Sequence, residues 1–167
     1  MIRQMENRFR QQGLKFEDYL NYSGRSLEDI KAAFRAFLAK LPKDGLAVVC
    51  GDDANARAAA PDHCRVVTYG LGEGHDYTAA DVELFPMGSR AVVREQGAPL
   101  GIMVLRVPGL HNIANALAAV AVGRALNLPF GVIAQALGAF RGAKRRLEVL
   151  GEVRDVLIID DYAHHPT

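Results

Sequence analysis

The chain has 167 residues, 50% hydrophobic and 23% charged, the balance of one soluble globular domain and not of a disordered segment. With 20 Lys and Arg against 19 Asp and Glu, the formal net charge is +1, so no global field argues for nucleic acid or an anionic membrane. Its two cysteines, Cys50 and Cys64, stand in no C-x-x-C arrangement, which argues against a disulfide framework or a cysteine zinc site and fits reduced thiols in the cytoplasm.

Residues 1–12 are polar and lack the apolar core of a signal peptide, and the apolar stretch 113–122 is too short to span a bilayer. The first firm helical signal starts at Ser26. Leu27, Ile30, Phe34, Phe37, Leu38 and Leu41 fall at helical spacing, Ser26 and Asp29 form a capping-box pair, and Pro42 marks the stop. An amphipathic helix packing one face on a core is expected.

The run GLAVVC (45–50) reads as a buried parallel strand, followed by a Gly51-Asp52-Asp53 turn and a short Ala-rich helix over 54–60. RVVTY (65–69) reads as a second buried strand, and the helix–strand–helix–strand rhythm is that of an α/β sheet. Three strands are then expected, over 76–85, 90–95 and 100–107, as an antiparallel ribbon, the last two joined by a turn over 96–99. Helices follow over 110–126 and 130–140, then strand-like runs over 147–149 and 156–159. The fold class is α/β: part of a mostly parallel sheet with flanking helices, plus an antiparallel ribbon.

Three stretches carry candidate chemistry. In GLHNIANALAA (109–119), Asn112 and Asn115 are three apart on one helical face, with His111 on the same side; two carboxamides there offer donors and acceptors to a heterocycle such as adenine. The bland alternative is that Asn112 caps the helix and Asn115 faces solvent. The triplet Lys144-Arg145-Arg146 enters a strand, where a guanidinium stacks on a base, binds phosphate, or belongs to a solvated turn. Without aromatic interleaving or a wider basic face, it makes a poor RNA site.

In Asp160-Asp161-Tyr162-Ala163-His164-His165, adjacent histidines of an extended segment point opposite ways, which disfavours one metal ion, whereas a carboxylate at a strand end suits a ribose hydroxyl. Gly70-Leu71-Gly72-Glu73-Gly74 does not fit G-x-G-x-x-G and has only a weak claim on phosphate. No G-x-x-x-x-G-K-[ST] or G-x-S-x-G motif occurs. Base and ribose contacts are thus present without a phosphate-binding loop.

Taken together, GLHNIANALAA, AKRRLEVLGEV (143–153) and IIDDYAHHPT (158–167) resemble the Mur ligases in order and spacing, and SLEDIKAAFRAFL followed by GLAVVCGDDAN is similar to the second half of that family's central ATPase domain. The resemblance implies a three-domain, cytoplasmic, ATP- and magnesium-dependent enzyme of peptidoglycan synthesis, hence of cell-wall biogenesis, cell shape and division. Such an enzyme activates a carboxylate as an acyl phosphate for attack by an amine. The DDYAHHPT ending is most similar to the branch joining L-alanine to UDP-N-acetylmuramate; the branch attaching a murein tripeptide to the same nucleotide is the alternative.

By the same resemblance, His111, Asn112 and Asn115 fall in the adenine-side motif, Arg146 matches an arginine against the nucleotide, and Asp161 matches a carboxylate near the ribose. His164 and His165 fall in the hinge toward a C-terminal domain. The family's phosphate loop and its magnesium-binding Glu would lie upstream, so no catalytic or metal-binding residue is expected here. Where the family shows D-H-L-D, this chain reads Asp18-Tyr19-Leu20-Asn21, which removes an imidazole from a metal contact. The implied organisation is an unassigned segment over 1–13, the later half of the ATPase domain over 14–151, and the hinge with the first strand of the next domain over 152–167. An internal segment of a larger ligase, inactive alone, is therefore expected, with self-association through exposed sheet surface. The rival reading is a non-catalytic module that binds a nucleotide or a partner protein.

Overall fold

Ser26 opens helix α1 (Leu27–Leu38) through the capping box read from sequence: its Oγ accepts from the Asp29 backbone N–H at 3.1 Å, and Asp29 Oδ2 accepts from the Ser26 N–H at 2.8 Å. A computed structural model describes residues 26–143 and 148–162. The expected packing of α1 on a core is not found among them. None of its residues is buried, and Phe34 and Phe37 are 54% and 67% exposed. The cap and the helical spacing act locally, so the helix forms whether or not its apolar face is covered.

Strand β1 (Leu46–Cys50) leads through helix α2 (Ala54–Ala58) to β2 (Arg65–Gly70), which lies parallel to it with Leu46 opposite Arg65. Asp53 caps α2, accepting from the N–H groups of Asn55 and Ala56. Strand β3 (Tyr77–Phe85) adds to β2 in parallel over Tyr69–Tyr77 and Gly70–Thr78, and β4 (Gly88–Glu95) and β5 (Ala98–Leu105) follow as antiparallel neighbours. The result is one mixed five-stranded sheet in the order β1-β2-β3-β4-β5. The antiparallel ribbon continues the parallel strands instead of standing apart.

The β4–β5 connection is shorter than the expected 96–99 turn. Gln96 and Gly97 alone make it, both at positive φ (49° and 82°), the signature of a two-residue hairpin turn whose twist matches its strands. Helix α3 (Leu110–Ala125) lays Ile113, Ala116, Leu117, Val120 and Ala121 on this sheet, against Val67, Tyr77, Ala91, Val93 and Met103. Its alternation of Ala with larger residues lets the helix approach closely. Asn127, at φ 60°, ends it, with the Leu128 N–H bonded back to the Gly123 carbonyl.

Helix α4 (Phe130–Ala139) packs on β5 and α3, burying Ile133. Strands β6 (Glu148–Val153) and β7 (Val156–Asp160) form a separate antiparallel hairpin through Arg154 and Asp155, both at positive φ. Apolar residues of the hairpin, among them Val149, Leu157 and Ile158, remain exposed.

Candidate functional site

The expected base-binding residues sit at the start of α3. Gly109 is its N-cap at φ 96°, a backbone conformation that favours glycine. His111 and Asn115 are exposed and make no side-chain hydrogen bond among the described residues. Asn112 is half-buried and donates from Nδ2 to the Pro108 carbonyl at 2.8 Å. It therefore ties the helix to the incoming chain. It does not cap the helix, since Gly109 holds the N-cap and no side chain caps it; the Asn112 Oδ1 and second N–H are left unbonded among the described residues.

Asp161 follows β7, is exposed, and makes no hydrogen bond or ion pair among the described residues. No such bond joins it to the start of α3. Arg146, with Lys144 and Arg145, lies outside the described residues, as do His164, His165 and the Asp18-Tyr19-Leu20-Asn21 stretch.

A second cluster, singled out by no motif, stands at the carboxyl ends of the parallel strands β1 and β2, the usual ligand side of an α/β sheet. Asp52 accepts from the Leu71 N–H at 2.6 Å, the Gly72 N–H at 3.0 Å and His75 Nε2 at 3.1 Å. Burial raises its pKa, but the two backbone N–H groups and His75 outweigh that, and the carboxyl is held below its usual range. The loop's N–H groups, offered weakly to phosphate by the sequence, thus hold the chain's own carboxylate. The His75 ring fills the space beside Gly51 and Gly70, where a Cβ would come within 2.2 and 2.5 Å of it.

Asp76 fixes the loop's far end. Its Oδ2 accepts from the N–H and Oγ1 of Thr68 at 2.7 and 2.9 Å. Next to this loop lies an open cavity of about 630 Å³ lined by His75, Thr78, Arg94 and Gln96. The signal that could have found the cluster is the pair of glycines at the two strand ends, Gly51 and Gly70. Their partner His75, however, is 24 residues from Gly51 in sequence and is brought there only by strand pairing.

A third polar group joins sheet and helix. Tyr77 Oη donates to Glu95 Oε1, and Arg124 Nη2 donates to Glu95 Oε2 at 3.0 Å, linking β3, β4 and α3. Burial, then the Glu95 carboxylate, pushes the Tyr77 phenol up to about 12. The Tyr77 hydroxyl, together with Arg124 and against the opposing effect of burial, holds Glu95 below its usual range. Among the described residues, no group of three or more His, Cys, Asp or Glu side chains could hold a metal ion.

The Mur ligase middle domain matches residues 18–123. The UDP-N-acetylmuramate–L-alanine ligase of Desulforamulus reducens is 50% identical over 153 residues, covering 90% of this chain and 33% of the relative. Among solved structures, UDP-N-acetylmuramate–alanine ligase from Thermotoga maritima superposes with a TM-score of 0.73 at 28% identity, over 90% of this chain and 33% of that one. A murein peptide ligase from Psychrobacter arcticus superposes with a TM-score of 0.64 at 26% identity, over 92% and 31%. The chain thus spans about a third of the length of the relatives it matches. With the domain match running from ahead of α1 almost to the end of α3, and the mixed sheet shared with solved ligases, this chain belongs to the Mur ligase family.

Proposed function

We propose that this chain is the later half of the central ATPase domain of a ligase that joins L-alanine to UDP-N-acetylmuramate in the cytoplasm, over residues 14–151, with the hinge and first strand of the next domain over 152–167. The observation that carries the reading is half-identity to such a ligase along nine-tenths of the chain. The β6–β7 hairpin straddles the proposed boundary at 151/152. No described helix is long and apolar enough to cross a membrane.

The start of α3 fits the base of a nucleotide. The Asn115 carboxamide is exposed and unbonded there, and Asn112 keeps one donor and one acceptor, the pattern that an aminopurine edge matches. When bound, ATP supplies the phosphoryl group that activates the muramate carboxylate. In this reading, His111, Asn112 and Asn115 hold the base, and Arg146 and Asp161 complete its surroundings from the following segment. No group of three or more His, Cys, Asp or Glu side chains gathers among the described residues, and no part in holding magnesium is assigned to them. The isolated chain then binds nucleotide weakly and does not turn over.

The test is titration of the chain with a fluorescent ADP analogue, beside a phosphate-release assay with UDP-N-acetylmuramate, L-alanine and Mg-ATP. Asn115→Ala is expected to weaken binding by about fivefold to tenfold, the net worth of one or two hydrogen bonds, with no phosphate release from either protein. Binding indifferent to both Asn115→Ala and His111→Ala would refute the base site, and turnover above a heat-killed control would refute the partial-domain reading. The murein peptide ligase likeness favours the tripeptide branch as the second reading. Amine preference of the parent enzyme, L-alanine against tripeptide, decides between the two.

A further inference from the structure

Ser89, the second residue of β4, is fully buried on the strand face it shares with Ala91 and Val93. Its Oγ donates to the Val107 carbonyl at 3.3 Å, two residues past the end of β5 and just ahead of Pro108. A buried hydroxyl needs such a partner, because leaving it unpaired costs its hydration. The two strands are close at this level: a Cβ on Gly88 would stand 2.6 Å from the Leu105 carbonyl oxygen. The start of β4 is thus pressed against the chain as it leaves β5 for α3.

Three successive carbonyls lead into α3, and each has its own donor. Val107 O accepts from Ser89 Oγ, Pro108 O from Asn112 Nδ2 at 2.8 Å, and Gly109 O from the Asn112 N–H at 3.1 Å. The last two donors belong to α3 itself, so those bonds travel with the helix. Of the three, the Ser89 bond alone comes from the sheet. Ile113, 0% exposed, also seats the first turn, but apolar contact is non-directional, whereas a hydrogen bond fixes an orientation. Gly109, at φ 96°, has ready access to other conformations, so the direction of the entry depends on what holds the carbonyls before it.

We propose that Ser89 is a positioning residue for the base-binding end of α3. By holding the Val107 carbonyl to β4 it sets the Pro108 carbonyl, and through that carbonyl the Asn112 carboxamide. Its hydroxyl touches no nucleotide and acts only through Asn112. This role rests on the base-site reading of α3 given above.

Ser89→Ala removes the donor and keeps the Cβ. Hydrogen exchange of the unliganded chain is expected to speed up about threefold at the Asn112 and Ile113 amides, both bonded to the Gly109 carbonyl, and to stay unchanged at Val120 and Ala121 in mid-helix. That factor is the low end for one neutral hydrogen bond, because 3.3 Å is long for a hydroxyl donor. Affinity for the fluorescent ADP analogue is expected to fall by a similar factor of about three. In an Asn112→Ala background, Ser89→Ala should weaken it no further, since the hydroxyl acts through that carboxamide. Val93→Ala opens a cavity on the same face of β4 and controls for a merely structural effect: stability falls, and affinity of the folded chain stays unchanged.

Unchanged exchange at Asn112 and Ile113, faster exchange spread evenly along α3, or additive affinity losses with Asn112→Ala overturns the role. So does affinity indifferent to Ser89→Ala where Asn115→Ala weakens it. Affinity indifferent to both Asn115→Ala and His111→Ala removes the base site and this role with it, an outcome that the exchange rates at Asn112 and Ile113 keep distinct from failure of the Ser89 contact. If Ser89→Ala does not fold, Ser89→Cys, a weaker donor, takes its place with the same expected directions.

Discussion

Replacing Glu95 with alanine removes the shared acceptor of Tyr77 Oη and Arg124 Nη2. The carboxylate's bond to Arg124 is charge-assisted, a class that contributes ~1.5–3 kcal/mol net, and the Tyr77 bond adds ~1 kcal/mol. Water offsets part of the loss, because the Glu95 and Arg124 side chains are 27% and 31% exposed. The expected cost is therefore about 2–3 kcal/mol. At ~2–4 °C per kcal/mol for a chain of this size, the melting temperature falls by about 5–10 °C. Urea unfolding followed by circular dichroism measures it, with an unchanged m-value marking a true loss of stability. Tyr77→Phe alone is expected to cost about 1 kcal/mol, and the Tyr77→Phe, Glu95→Ala pair less than the sum of the two singles. A Glu95→Ala cost under about 0.5 kcal/mol would refute the argument that this carboxylate joins sheet to helix.

The Tyr77 phenol is raised from 10.0 to about 12, so its contribution is complete below pH 10 and is lost as the pH climbs toward 12. A thermal melt series over that window should decline for the parent chain and be flatter for Tyr77→Phe. Asp52 titrates the opposite way: held below its usual 3.8, it contributes above that value and its contribution is lost as the pH falls through its lower folded value. Asp52→Ala should cost about 2 kcal/mol, and hydrogen exchange should speed up at the Leu71 and Gly72 amides; unchanged exchange there would sink the latch. Gly51→Ala should cost about 1–3 kcal/mol by overpacking, because its Cβ meets the His75 ring at 2.2 Å. The Gly51→Ala, His75→Ala double variant should recover part of that loss, and no recovery would point to the backbone as the source.

What the sequence alone determined is what short-range rules govern. Ser26 with Asp29, Asp53 ahead of Asn55, the apolar runs of β1 and β2, and the Gly109 entry into α3 all depend on neighbours within about four residues, and each formed where the pattern put it. The family resemblance was equally legible, because its motifs are contiguous. The two-residue turn at Gln96-Gly97 was missed because Ala98 and Pro99 look like turn residues until strand pairing with β4 draws them into β5.

Tertiary structure alone decided the rest. It joined Asp52 to a His75 met 23 positions later, and Tyr77 to Glu95 and Arg124 on two other elements. It also divided the two asparagines, turning Asn112 onto the Pro108 carbonyl and leaving Asn115 open. Helix α1 shows the limit from the other side. Its periodicity correctly marks an apolar face, but periodicity is a property of one element, and burial needs a second surface at contact distance.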